Sequence, residues 1–561
     1  MRISNVSLTN FRSIKQLDIE LPQVCALIGP NNSGKSNLLE AIRRVVGREW
    51  VAVSSFSEDD VFGRDAKADV IIKVTFDPPL KYKKYSYGDE VEIPILSFEY
   101  TRYQVGAEKG QRRLEQKCFT AAGKPPSVLS KAPRRGEAHQ YMPLVNIPSE
   151  VRESIPLIFI GTSRAVSDQL PSARASLLRV LLEDVNRDFL DPAQKVEVES
   201  EKGKTQITRR DRFGQLMHQI LTLLRTKQFE ALETSIKENA LRQLGFDPKI
   251  DTDKLDFFFA PFDTIDFYKS LELRVREFGT TISATELGEG FQNALVLAIL
   301  QSFEQHRKNG AILLIEEPEM FLHPQMQRAL YRTLRKIGET NQIIYTTHSP
   351  HFVSVPEFDE VVMVRKGTEG TKALRPNLKP TAALKEKFVK ELDPERNELF
   401  FATRLLIVEG DTEKLSIPEY AKRLKHDLDA VGATIVEVGG KRNLLLFLDL
   451  AESLKIPVGV IYDEDSSDFS KNKKEEEEFN ASLDKRAKVD GSVRIWRLTK
   501  NYEDQLRQTV GEQKYQELSQ KYPFGKPTKA RLIAQEDLPT PPLINEIIEW
   551  LAGVTVSGPK Q

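Results

Sequence analysis

Cysteine is almost absent: Cys25 and Cys118 are the only two in 561 residues. No disulfide framework and no Cys-rich zinc site is available, and such usage fits a reducing cytosol. Long apolar runs are also missing, and none approaches the roughly 20 residues that span a bilayer. The N-terminus shows no signal peptide, because Met1 opens a polar strand, Arg2-Ile3-Ser4-Asn5-Val6-Ser7-Leu8. The expectation is a cytoplasmic chain with no membrane partner. Net charge is lacking too, with 81 Lys+Arg against 82 Asp+Glu, so a polyanion must be met by a local patch. At this length roughly three or four domains are expected.

What is present begins at residue 29. Gly29-Pro30-Asn31-Asn32-Ser33-Gly34-Lys35-Ser36 has the spacing G-x-x-x-x-G-K-S of a phosphate-binding loop. The apolar run Val24–Ile28 before it reads as a buried strand. Behind it, Leu38, Leu39, Ile42, Val45 and Val46 recur at helical spacing until Gly47. In that setting the backbone N–H groups of Gly29, Asn31, Asn32, Ser33, Gly34 and Asn37 and the helix N-terminus face the phosphates of ATP. Lys35 neutralises their charge and Ser36 offers a hydroxyl to Mg²⁺.

Residues 2–21 read as two strands, and Val70–Phe76 and Glu92–Thr101 as further antiparallel sheet. Between 102 and 135 order is expected to fade. The cations there, among them Lys109, Arg112, Arg113, Lys117, Arg134 and Arg135, read as a solvated loop before a DNA-contacting one. A helix through Leu177–Phe189 and a longer one through Phe213–Ile236 form an inserted helical domain. Its leucine and phenylalanine are buried either internally or against a second copy. Sheet returns at Phe257-Phe258-Phe259, and Glu286-Leu287-Gly288-Glu289-Gly290-Phe291-Gln292 opens an apolar helix. Ala311–Ile315 is an apolar strand ending in Glu316-Glu317-Pro318-Glu319, and Ile343–Thr347 is another ending at His348.

The wording L-x-N-F-R-S-I at Leu8–Ile14, followed by the phosphate loop, resembles SMC/RecF-type ABC ATPases. The resemblance implies that Gly288, Gly290 and Gln292 form a signature loop for the γ-phosphate held by an opposite protomer, although Gly288 replaces the usual serine. It implies the Mg²⁺-side position for Glu316, polarisation of water for Glu317, and a γ-phosphate switch for His348.

A second unit starts near Leu399. Leu405–Val408, Thr434–Val438 and Val458–Tyr462 alternate with helices, as in a small parallel sheet, where ligands sit at strand carboxyl ends. Glu409 and Glu413 follow the first strand, and Asp463 and Asp465 follow the third, so four carboxylates can meet. Hard oxygens without histidine or cysteine suit Mg²⁺ or Mn²⁺. The E-G…D-x-D arrangement resembles the Toprim domain of topoisomerases, primases and certain nucleases. In its nuclease branch Glu503 matches a further acidic ligand, and Lys526 or Lys529 a late catalytic lysine; the sequence leaves the choice between the two lysines open.

The order of parts resembles the OLD (overcoming lysogenisation defect) nucleases, a family that includes the A subunit of the Gabija anti-phage system. It implies an α/β chain: an ABC-type ATPase over 1–165 and 251–366, a helical, dimerising insertion over 166–250, a linker over 367–398, and a Rossmann-like Toprim nuclease domain over 399–561. It further implies a metal-dependent DNA endonuclease controlled by ATP, a homodimer or larger homo-oligomer, and a helicase-like partner. The alternative is an ATP-controlled RecF/SMC-like DNA-binding scaffold with a non-cleaving Toprim.

Overall fold

The computed structural model describes all residues except 48–50, 86–87, 132–138, 163–165, 174–175, 201–202, 252, 256–262, 278, 307–309, 354–358, 377, 379–380, 382–385, 387–394, 465–472 and 555–561. Phe257–Phe259 and Asp465 therefore lie outside the described residues. The chain divides into two compact units, Met1–Ser163 with Lys308–Gln561, and Arg164–Arg307.

The larger unit contains three principal sheets. One is antiparallel, in the order Ile14–Glu20, Arg2–Phe11, Val70–Tyr82, Val91–Arg102, Arg112–Phe119. Val70, Ile72, Val74 and Phe76 alternate inward, as period-two patterning requires. The last strand corrects the expected loss of order after residue 102. Arg112 pairs with Glu58 at 3.0 Å and Lys117 with Glu99 at 2.6 Å, so these cations already have protein partners.

The second sheet runs Gly370–Leu374, Val361–Gly367, Val24–Ile28, Gln342–Thr347, Ile312–Ile315, Leu157–Ile160. All neighbours are parallel except the Gly370–Leu374 edge, which is antiparallel. Every residue of Val24–Ile28 and of Gln342–Thr347 is buried, which explains the unbroken apolar character of the first. Helix Lys35–Val46 covers the sheet with Leu38, Leu39, Ile42 and Val45, all wholly buried. Truncating Ile42 to alanine there would cost about 2–5 kcal/mol. The edge strand corrects the expected linker, whose first residues belong to this sheet.

The third sheet is fully parallel, ordered Ala433–Glu437, Arg404–Val408, Val458–Asp463, Val493–Leu498. Its first strand in sequence lies between the second and third, so the winding reverses beside Arg404–Val408. That reversal opens a crevice at the carboxyl ends of Arg404–Val408 and Val458–Asp463.

The smaller unit contains helices Leu177–Leu190, Arg209–Leu224, Lys227–Gln243 and Glu289–His306. It is not purely helical: Lys195–Ser200 pairs with Gly203–Thr208, where β-branched residues alternate with polar ones. The longer expected helix is broken at Thr226, whose hydroxyl accepts from Phe229 N and caps a new helix. Leu177–Leu190 packs on Glu289–His306. The unit consequently extends to Arg307, past the expected boundary at 250.

Candidate active sites

The phosphate loop gets its shape from two glycines. Gly29 has φ +148° and a Cβ there would lie 2.0 Å from Val364 O; Gly34 has φ +104° and its Cβ would lie 2.4 Å from Thr371 Oγ1. Thr371, on the edge strand Gly370–Leu374, donates to Ser33 O at 2.8 Å, and Ser13 Oγ lies 2.8 Å from Thr371 Oγ1. Asn37 donates to Ser13 Oγ at 2.8 Å, so its side chain braces the loop. Asn31, Asn32 and Ser36 are exposed on the loop's open side, and Ser33 is buried.

Lys35 is buried and donates to Gly29 O at 2.9 Å, Pro30 O at 3.1 Å and His348 Nε2 at 2.7 Å. Burial lowers its pKa to about 8 against the pull of Glu317 and Glu319. His348 Nε2 also lies 3.2 Å from Glu317 Oε1. One nitrogen cannot serve both neighbours at once: it accepts from Lys35 in a neutral ring, or donates to Glu317 when the ring is protonated. Glu317 has φ +44° and its N–H is held by Thr346 at 3.1 Å. Burial raises the pKa of Glu316, against a hydrogen bond from Ser36, which brings the two predicted Mg²⁺-side groups together.

Glu319, not anticipated as a site residue, organises the neighbourhood. Its Oε1 accepts from Thr347 Oγ1 at 2.7 Å, His348 N at 2.6 Å and Ser349 N at 3.1 Å. Burial, and then the adjacent Glu317, raise its pKa to about 7. Glu317 shifts the other way: against burial, its hydrogen bonds with His348 and Glu319 lower its pKa, so a proton on the pair favours Glu319. Gly288, Gly290 and Gln292 belong to the smaller unit. There Gln292 donates to Leu287 O at 2.7 Å and accepts from Val166 N at 3.1 Å, which fixes the turn before its helix.

In the parallel sheet, Glu409 Oε1 accepts from Asp463 N at 2.8 Å across the crevice. Glu413 is buried in the first turn of helix Asp411–Arg423. Burial, followed by the charges of Asp463, Glu409 and Glu503, raises its pKa to about 8. Four of the predicted ligands are therefore neighbours in an electrostatic sense. Among the described residues they do not close into a metal-binding group. A buried carboxyl with three further acids around it nevertheless fits a hard divalent cation. Glu464 is directed elsewhere, onto Arg497.

The two lysines separate. Lys526 pairs with Glu503 at 3.1 Å, while Lys529 has no side-chain partner among the described residues; both line a cavity of about 250 Å³ with Glu503, Asn501, Arg507 and Tyr515. Neither nearby tyrosine is a free nucleophile. Tyr462 donates to Asp484 at 2.7 Å, and buried Tyr502 lies 2.6 Å from Ser416 Oγ.

With both geometries in hand, comparison with known proteins is direct. Residues 24–354 match the family described as "AAA domain, putative AbiEii toxin, Type IV TA system", and residues 400–465 match the TOPRIM domain of overcoming lysogenization defect-like proteins. The OLD nuclease of Thermus scotoductus is 31% identical, covering 87% of this chain and 88% of that protein. The Old nuclease of Escherichia phage P2 is 24% identical over 82% and 77%, and the endonuclease GajA of Bacillus cereus 22% over 78% and 71%. No described helix is long and apolar enough to cross a membrane. The nuclease relatives and the TOPRIM match do not favour the scaffold alternative. The chain belongs to the OLD nuclease family and combines an AAA-type ATPase domain with a Toprim endonuclease domain.

Proposed function

We propose that this protein is a divalent-metal-dependent DNA endonuclease whose cleavage is regulated by ATP, acting in anti-phage defence or DNA repair. The observation that carries the reading is the convergence of Glu409, Glu413, Asp463 and Glu503 at the sheet crevice, with Glu413 raised to about 8 by burial and the other three. Asp465 completes the proposed ligand set. Mg²⁺ or Mn²⁺, when bound, would lower the barrier to water attack on a phosphodiester and stabilise the leaving oxygen. Glu409 orients the Asp463 backbone through a 2.8 Å hydrogen bond. Lys526 balances the charge of Glu503, and Lys529 is left to contact a DNA phosphate in the adjoining cavity.

At the nucleotide site Lys35 exchanges its carbonyl and His348 contacts for ATP phosphates. Ser36 and Glu316 take the Mg²⁺ side, Glu317 orients water, and His348 reports the γ-phosphate. Gly288, Gly290 and Gln292 serve a partner protomer's nucleotide. Self-association through the smaller unit is supported by its exposed apolar side chains Leu216, Ile220, Leu223, Leu232 and Ile236, with Leu223 81% exposed. A helicase-like partner remains part of the proposal by family resemblance.

Plasmid cleavage with Mg²⁺ or Mn²⁺ tests the reading. The wild type should nick or cut, and Asp463→Ala should not. Equal cleavage by both proteins would move the nuclease chemistry away from this crevice.

A further inference from the structure

Between the two sites the chain makes one short helical turn, Arg396–Phe401, within the larger unit. Asn397 is 6% exposed, and its amide donates to Pro350 O at 3.0 Å and Val353 O at 2.9 Å. Those carbonyls belong to the loop that begins at His348, whose other end Glu319 holds through His348 N and Ser349 N. The Asn397 carbonyl oxygen is buried without a hydrogen-bond partner. Burying such a group is unfavourable, and an alanine would avoid it. Asparagine at this position is therefore explained by what its two N–H groups hold.

Arg396 faces the other way. Its Nε donates to Glu437 O at 2.9 Å and its Nη2 to Glu437 Oε2 at 3.0 Å. This two-bond grip fixes direction as well as distance. Glu437 ends the strand Ala433–Glu437, and its remaining carboxylate oxygen accepts from Gly439 N. Gly439 and Gly440 then turn with φ of 72° and 112°. From that turn Gly440 N donates to Glu409 O at 3.0 Å, and buried Lys441 donates to Asp463 O at 2.5 Å. Two adjacent residues thus hold the γ-phosphate-facing loop on one side and, through Glu437, the turn that braces two nuclease carboxylates on the other.

We propose that Asn397 and Arg396 couple the two sites, forming a tie through which a displacement of the His348 loop shifts the Gly439–Lys441 turn that braces Glu409 and Asp463. The proposal rests on the reading of ATP as a regulator of cleavage. Neither residue touches nucleotide or DNA. When the loop moves with nucleotide state, the two carbonyls on Asn397 move with it. The short turn carries that displacement to Arg396, because the residues are covalent neighbours in one helical turn. A linkage of this kind has coupling of about 1–3 kcal/mol, or roughly 5–150-fold in what is coupled.

The test is plasmid cleavage by the full chain in Mg²⁺ with no nucleotide, with ATP, and with a non-hydrolysable ATP analogue, alongside ATP hydrolysis of the same samples. In the wild type, nucleotide should change the cleavage rate on the order of 5–150-fold, in either direction. Asn397→Ala and Arg396→Ala should bring that ratio close to one, while nucleotide-free cleavage and ATP hydrolysis stay near wild type. Arg396→Lys keeps the charge but not the double bond to Glu437, so its ratio should fall between. Should Asn397→Ala fail to fold, the two Arg396 variants decide. A wild-type ratio retained in the folded variants overturns the tie. So does cleavage lost in all conditions with hydrolysis intact, since that is a purely structural role. A wild type insensitive to nucleotide overturns the regulatory reading itself, and is recognised without any variant.

Discussion

The two sites solve opposite electrostatic problems. At the phosphate loop the charges are already matched: Lys35 sits among carbonyls, His348 and the Glu317–Glu319 pair. At the sheet crevice Glu409, Glu413, Asp463 and Glu503 crowd together, and Lys526 pairs with Glu503 while its charge also reaches Asp463. Burial raises one carboxyl pKa in each site, and the neighbours add to it differently: one adjacent carboxylate, Glu317, acts on Glu319, whereas Asp463, Glu409 and Glu503 all act on Glu413.

The largest expected break in this comparison is Lys35→Ala. It removes the cation that meets the phosphates, so ATP binding in an equilibrium titration should vanish, while DNA cleavage remains detectable in at least one nucleotide condition. Unchanged ATP affinity would contradict the assignment. Next, Lys529→Ala should lower the maximal cleavage rate by about 10²–10³-fold if it stabilises developing phosphate charge. Lys526→Ala should mainly lower the metal concentration required, because it removes a cation that pairs with Glu503 and competes with the metal. The reverse pattern in a metal titration would exchange the two roles.

The smallest effect is on stability. A carboxyl whose folded pKa is raised keeps its proton when the unfolded chain has lost it. The metal-free protein therefore loses stability as pH rises from about 4.5 to about 8 at Glu413, and the loss is complete above that range. The change is on the order of 5 kcal/mol at most, since each tenfold difference in proton affinity between folded and unfolded chain is worth about 1.4 kcal/mol. Glu413→Gln should flatten the fall in Tm with pH in a chelator, whereas Mg²⁺ should flatten it in the wild type. An unaltered slope in both would mean that Glu413 ionises freely.

Much of this was legible in the sequence where chemistry is local. The spacing of Gly29, Gly34 and Lys35, and the acids directly after apolar strands, announce themselves within a few residues. What was not legible depends on distant parts of the chain. Thr371 braces the phosphate loop from 338 residues away, and its flanking glycines read as a linker because the pairing strand is invisible locally. Arg112 and Lys117 read as loop cations because their partners are distant in sequence, Glu58 in a short helical turn and Glu99 on the neighbouring strand. Lys526 and Lys529 look alike in sequence, and only the contact with Glu503 separates them. Glu319 could have been suspected from the wording Glu-Pro-Glu, but its hold on His348 required the fold.

The central claim is that ATP governs the nuclease without driving its chemistry, since hydrolysis of a phosphodiester is already downhill and only its barrier is high. The direct measurement is DNA cleavage by Glu317→Gln and Asp463→Ala in Mg²⁺, each with and without ATP. Glu317→Gln should still bind ATP and hydrolyse it about 10²–10⁴-fold more slowly, yet cut DNA in at least one condition; Asp463→Ala should cut in neither. Cleavage absent from Glu317→Gln in both conditions, with ATP binding intact, would contradict the account and make hydrolysis the driver.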